Sequence, residues 1–341
     1  MTDLVVGVDL GGTNVRACVY DPQGIPATEA FSQPSRAQEG VEPVLDALAE
    51  VIQRAMATAP EHPRAVGIAI PGHIDNATGV VRWAPNFGKT VDGVFRYWLD
   101  VPIREPLQRR IALPIAMDND ANMAALGEYR FGTGRNQARG LVMFTLGTGV
   151  GGGVVLAPQC VLGDARGPLI LIGGNTGGAE LGHMCINEAG VECNAGTYGA
   201  VESYCQRDAI IRRAQHQLRR GRKSLLNDLC EGDLSKISPR LISEAAAQGD
   251  EVAIEVFAEV GRFLGIAIAN MINVFAPEVV AVGGQIAKAG ELILGPARQS
   301  ARKVAVPQLY DFAQIVQAEQ IEDAGMLGAA ALAQESLKWN R

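Results

Sequence analysis

Apolar residues in this chain fall into two repeated runs of the same design. Val5 to Leu10 and Val15 to Tyr20 are β-rich stretches flanking Gly11-Gly12-Thr13-Asn14, which predicts an antiparallel hairpin with glycine supplying the turn. Val41, Val44, Leu45, Leu48, Val51 and Ile52 then recur three and four residues apart, the spacing of one buried helix face. Ala65 to Ile70 is an uninterrupted apolar run closed by Pro71-Gly72, a short buried strand. The theme returns further on. Leu141 to Leu146 leads into a second glycine turn, Gly147 to Gly153, and Gly153 to Leu156 leads out of it; Val279 to Val282 is the last strand. Between them lie an irregular stretch to about Gly178, read as an extended hairpin, and an alanine-rich segment, Leu241 to Phe275, with the period of long packed helices. Met326 to Leu332 predicts a final helix that returns to the first half. Internal duplication is the expectation.

Composition narrows the class. The chain has 341 residues, 48% hydrophobic and 20% charged, enough for two domains with real cores. A net charge of -7 argues against nucleic acid as a partner, because neutralising phosphates takes a cationic surplus. The basic run from Arg212 to Lys223 reads as a solvated helix face. Phe263 to Ala276, the most apolar stretch, is interrupted by Asn270 and Asn273 and is shorter than the ~20 residues of a membrane span. Six scattered cysteines and no secretory pattern at the N-terminus point to the cytoplasm, with no disulfide framework and no membrane partner.

Glycine turns between strands let backbone N–H groups approach an anion, and Thr13 and Thr148 add hydroxyl donors, so the two turns read as a pair of phosphate clamps. Two tempting motifs fail. Gly147-x-Gly149-x-x-Gly152 has dinucleotide spacing, but that fingerprint must open a helix and here the chain continues as strand. Gly88-Lys89-Thr90 resembles the end of a P-loop, yet Trp83 occupies the place of its first glycine. A stronger signal is Met117-Asp118-Asn119-Asp120-Ala121-Asn122, which follows a strand and enters a helix pattern. Helix capping needs one such side chain, not two carboxylates and two amides. A carboxylate there can accept a proton from a sugar hydroxyl as it attacks a γ-phosphate, with the amides orienting the sugar.

Five segments occur in the order found in ROK-family sugar kinases: Asp9-Leu10-Gly11-Gly12-Thr13, Asn119-Asp120-Ala121-Asn122, the Gly147 to Gly153 turn, Gly178-Ala179-Glu180-Leu181-Gly182-His183 and Val282-Gly283-Gly284. Over nearly its whole length the chain resembles that family, and the glucokinases within it. The resemblance implies an α/β, two-lobed, actin-like ATPase fold, a duplicated ribonuclease H-like domain with its active-site cleft between the lobes. It implies Asp120 as general base and ATP with Mg2+ as cofactors, Asp9 organising the magnesium directly or through water. Gly11, Gly12, Thr13, Asn14, Gly147, Thr148 and Gly149 would cradle phosphates, and Gly283 and Gly284 would back the adenosine. Gly72, Asn86, Asn119, Asp120, Glu180, His183 and Glu202 would bind the sugar. Glu180 and Glu202 would by composition alone be surface charges; only their motif positions favour the site.

Members of the family often carry a structural zinc on this histidine and a C-x-C-G-x-x-G-C segment. Here the segment reads Cys193-Asn194-Ala195-Gly196-Thr197-Tyr198-Gly199-Ala200, and one cysteine with one histidine cannot complete a tetrahedral site. No zinc is expected, and Cys185 and Cys205 read as free buried thiols. The implied activity is phosphorylation of a hexose, glucose to glucose 6-phosphate first; the alternatives are fructose, N-acetylglucosamine or N-acetylmannosamine as acceptor, or a non-catalytic sugar-binding regulator. Related repressors carry a DNA-binding segment before the first glycine turn, for which Asp9 lies too near the N-terminus. The resemblance favours a homodimer or higher homo-oligomer. The lobe boundary is placed by function at residue 117, giving a small lobe of 1–117 completed by a helix over 323–341, and a large lobe of 118–322.

Overall fold

The computed structural model describes residues 3–157, 170–171, 173 and 179–339. The chain opens with β1 (Val5–Leu10), β2 (Asn14–Tyr20), β3 (Phe31–Pro34), α1 (Val41–Ala57), β4 (Val66–Ile70), β5 (His73–Asp75), β6 (Val80–Val91), β7 (Val94–Pro102), α2 (Arg104–Ile111), β8 (Ile115–Asn119) and α3 (Asp120–Phe131). It continues through β9 (Gly140–Leu146), β10 (Val150–Leu156), β11 (Ile170–Leu171), α4 (Val201–Cys205), α5 (Arg207–Arg219), α6 (Leu226–Leu229), α7 (Pro239–Ala247) and α8 (Glu251–Phe275). It closes with β12 (Val279–Gly283), α9 (Glu291–Val304), α10 (Pro307–Phe312), β13 (Gln314–Gln317) and α11 (Ala324–Trp339). No described helix is long and apolar enough to cross a membrane.

Two five-stranded sheets repeat one order, β3-β2-β1-β4-β8 and β11-β10-β9-β12-β13. In each, an antiparallel hairpin is extended by two parallel strands, as the repeated runs predict. The first is covered on both faces, which explains why β1 is apolar at every position but Gly7 and Asp9. One face receives α1, whose Val44, Leu45, Leu48, Val51 and Ile52 are wholly buried; at about 1.5–3 kcal/mol per buried aliphatic side chain, these fix the helix on the sheet. The other face receives α11 through Met326, Leu327 and Ala330. Here Gly67 in β4 lies directly under the Ala329 carbonyl, where any Cβ would collide with backbone, so glycine sets the closeness of helix and sheet.

The chain divides into two compact units, Met1–Gln137 with Gly153–Ala179 and Glu322–Arg341, and Ala138–Gly152 with Glu180–Ile321. This compact division runs after Gln137 because α3 packs within the first unit, whereas the boundary at residue 117 was drawn by function. The Met123 carbonyl of α3 lies against Gly328 of α11, and Gly153 rests on Ala121 and Ala125 of the same helix.

Two expectations change, and one sheet is new. A third sheet, β5-β6-β7, takes in Gly88-Lys89-Thr90 as strand; its side chains are largely exposed, so it leaves no buried alternation to read in the sequence. Arg213, assigned to a solvated face, instead packs over the Tyr204 and Phe263 rings and pairs with Glu259 at 3.0 Å. Cys205 is buried as expected, whereas Cys185 is exposed. Of the extended hairpin expected before Gly178, β11 is described and pairs antiparallel with β10; residues 158–169, 172 and 174–178 lie outside the described residues.

Candidate active site

The carboxyl ends of β1, β4 and β8 lie side by side, since Asp9 is in register with Ala69 and Ala69 with Asp118. Ligands of open α/β sheets bind beyond such strand ends. Each strand there delivers a predicted residue. Past β1 comes the Gly11 to Asn14 turn, closed by Gly11 N–H donating to the Asn14 carbonyl at 2.8 Å, with Gly12, Thr13 and Asn14 exposed. Past β4 comes Gly72, and past β8 come Asn119 and Asp120. Asn119 caps α3 by accepting from the N–H groups of Ala121 and Asn122 at 2.9 and 3.2 Å, and its Nδ2 donates to the Gly72 carbonyl at 3.0 Å. Asp120 is the first residue of that helix and half-exposed, its Oδ1 held by Ala121 N–H at 2.9 Å.

Asp118 accounts for the surplus carboxylate. It is buried, accepting from Asn119 N–H at 2.6 Å, Asn122 Nδ2 at 3.2 Å and Asn76 Nδ2 at 3.1 Å. Burial raises its pKa, and these three donors pull it back in part. Its role is to tie three segments into one rigid corner beneath Asp120. Asp9, also largely buried, has its pKa raised by burial, lowered by Arg16 and raised again by Asp323, while Arg16 pairs with Asp323 at 2.7 Å. Asn86 stands exposed in an irregular step of β6, where the pairing shifts between Ala84 and Gly88.

In the second unit the Gly147 turn is tight, Gly147 N–H donating to the Gly149 carbonyl at 2.9 Å, and the Arg207 N–H anchors the Gly147 carbonyl at 2.9 Å. Glu202 is buried, and its Oε2 accepts from Val150 N–H at 3.0 Å. A residue expected to read a sugar therefore also holds the Gly147 turn. Gly283 is paired with Thr145, and Gly284 follows at φ +83° with its Cα against the Leu146 backbone, a place only glycine fits. Gly147 and Thr148 share a cavity of about 1000 Å³ with Gln285 and Ile286, directly after that pair.

Glu180 and His183 also meet, Oε2 to Nε2 at 3.7 Å, while His183 Nδ1 is 3.8 Å from Cys193 Sγ. Burial pushes the Cys193 thiol up, but the Thr197 hydroxyl at 3.0 Å, the N–H groups of Ala195 and Thr197, and His183 outweigh it and bring it down to about 7. A zinc at this place would have His183 and Cys193 as donors, with Ala195 and Ala200 where further thiolates would be needed.

The model of the ROK family matches residues 5–336. The chain belongs to the ROK family. A glucokinase of Thermotoga maritima is 35% identical over 333 residues, covering 98% of each chain. A ROK family glucokinase of Streptomyces griseus, solved in complex with glucose and AMPPNP, is 33% identical with a TM-score of 0.77, over 97% of this chain and 99% of that one. The fold is thus that of the ROK sugar kinases, the actin-like ATPase class, as the order of motifs implies. The family also holds regulators: a xylose repressor of Caldicellulosiruptor bescii is 28% identical over 96% of this chain and 77% of its own length.

The structure brings Asp9, Gly11 to Asn14, Gly72, Asn119 and Asp120 to one sheet edge, Gly147 to Gly149 together with Glu202, Gly283 and Gly284, and Glu180 next to His183. Asn76 and Arg207 were missed, and Asp118 was singled out only as a member of the acidic cluster, with no role of its own. Asp118 lies one residue before the end of β8, just ahead of a helix start, while Asn76 and Arg207 act through contacts distant in sequence.

Proposed function

We propose that this chain is an ATP-dependent hexokinase, with glucose as first-choice acceptor and its 6-hydroxyl as nucleophile. The observation that carries it is Asp120, a half-exposed carboxylate fixed at the same sheet edge as Asp9 and the Gly11 turn. Phosphoryl transfer asks mainly for positioning and charge neutralisation. Asp120 accepts the proton of the hydroxyl as its oxygen attacks the γ-phosphorus and ADP departs. Asn119, locked by the Gly72 carbonyl and two helix N–H groups, fixes the start of the helix that carries the base, and Ala121 N–H holds the carboxylate itself. Mg2+, held by Asp9 directly or through water, would neutralise charge on the phosphates. Gly72, Asn86, Glu180, His183 and Glu202 are carried forward as sugar-reading residues, and Gly283 and Gly284 as the backing of the adenosine. The glucokinase relatives support this reading of the acceptor.

The test is coupled ADP release with a panel of hexoses and N-acetylhexosamines, using Asp120→Asn as control. Glucose should give the highest kcat/KM, and the variant should lose roughly 10²–10⁴-fold in kcat, the usual worth of a general base. No stimulation by any sugar, or a variant at full rate, would overturn it. A preference for an N-acetylhexosamine would keep the chemistry and change the acceptor.

A further inference from the structure

The cavity of about 1000 Å³ beside the Gly147 turn has an unexpected charge. On a chain of net charge -7, it is lined by Arg207, Arg240 and Lys288 against one carboxylate, Glu244. Such a local reversal marks the place of an anion. The rest of the lining is mixed. Pro239, Ala247, Phe257 and Ile286 make an apolar portion, fit for a flat heterocycle, and Gly147 and Thr148 make the portion fit for phosphates.

Arg207 belongs to the phosphate portion by its backbone, since its N–H is bonded to the Gly147 carbonyl at 2.9 Å. Its guanidinium is half-exposed and engaged with its neighbour Asp208 at 2.9 Å, an adjacent surface pair of small worth that a phosphate would readily displace. A guanidinium also matches phosphate oxygens in a bidentate fork that lysine cannot form. We propose that Arg207 binds the phosphate chain of the nucleotide donor in this cavity, with Arg240 and Lys288 as the outer cations of the same site. This deepens the kinase reading and rests on it for the identity of the donor.

The experiment is calorimetric titration of ADP and of adenosine into the full chain and its Arg207→Gln and Arg207→Lys variants, alongside steady-state kinetics. Arg207→Gln should weaken ADP roughly tenfold or more, as expected for a lost hydrogen bond to a charged group, and leave adenosine within about twofold. Arg207→Lys should recover part of the loss, and KM for ATP should rise while KM for the sugar holds. ADP affinity unchanged in Arg207→Gln would overturn the proposal whatever the enzyme does with sugars. Equal losses for ADP and adenosine would also overturn it, assigning Arg207 a structural role. Arg207-dependent ADP binding without any sugar-dependent turnover would support the proposal and sink the kinase reading instead.

Discussion

Replacing Glu202 by alanine tests whether one buried carboxylate supports both the phosphate turn and the acceptor. In the structure its Oε2 receives the Val150 N–H at 3.0 Å, one residue beyond Gly149, and Gly149 leaves so little room that a Cβ would stand 2.6 Å from that oxygen. Truncation leaves the N–H buried without a partner, a cost of about 1–3 kcal/mol, and removes one methylene from a packed site at about 0.8 kcal/mol. Relief from burying a carboxylate offsets part of this. A net loss of about 2 kcal/mol lowers Tm by roughly 4–8 °C in a unit of this size. Because the lost bond tethers the turn, KM for the donor should rise several-fold together with KM for the sugar. Glu202→Gln, which keeps a carbonyl acceptor, should preserve Tm and donor KM and raise only the sugar KM. Thermal melts and two-substrate kinetics on the three proteins decide the matter. An alanine variant with unchanged Tm and donor KM would refute the reasoning.

Other expected outcomes concern the corner under Asp120, the helix on the first sheet and the loop after His183. For Asp118, burial raises the folded-state pKa, so its contribution to stability is present below the unfolded value and is lost as pH rises through the folded one. The Tm advantage of wild type over Asp118→Asn should therefore shrink from pH 4 to pH 7; a pH-independent difference would contradict the burial argument. Gly67→Ala pushes a methyl into the Ala329 carbonyl and should cost about 3 kcal/mol or more in urea melts, whereas Gly12→Ala, with open space around it, should cost under about 1 kcal/mol. The Cys193 thiol should titrate near pH 7 in thiolate absorbance, a signal that Cys193→Ser removes; a midpoint near 9 would show that the Thr197, Ala195 and His183 contacts do not hold in solution.

Much of the fold is legible because it follows from burial. Strands with both faces covered, such as β4 and β12, are continuous apolar runs, and α1 shows its buried face as a stripe. The third sheet is not legible for the converse reason: Phe95, Tyr97 and Leu99 alternate correctly but point to solvent, so their pattern carries no information about a core. Nothing in Asp120 to Phe131 records that the helix packs against residues two hundred positions later. At the site, short-range chemistry was readable and long-range tethering was not. Asn119 and Asp120 stand out as cap and proposed base within one hexapeptide, but the bonds of Asn76 to Asp118 and of Val150 to Glu202 join residues that no local motif connects.

That asymmetry sharpens what the two glycine turns are. They look equivalent in sequence, yet they are stabilised by different means. The Gly11 turn is held by backbone bonds, the Gly11 N–H on the Asn14 carbonyl and the Ser35 N–H on the Thr13 carbonyl at 2.9 Å. The Gly147 turn is anchored from outside, by the Arg207 N–H on one side and the Glu202 carboxylate on the other, both carried by the segment that follows Cys193. This same segment holds the thiol whose neighbours are His183 and Thr197. Order in the second turn therefore depends on order in that segment, whereas order in the first does not. Perturbing the Cys193 loop should accordingly raise the donor KM without touching Asp9 or the Gly11 turn, and a Thr197→Val variant with unchanged donor KM would show the two to be uncoupled.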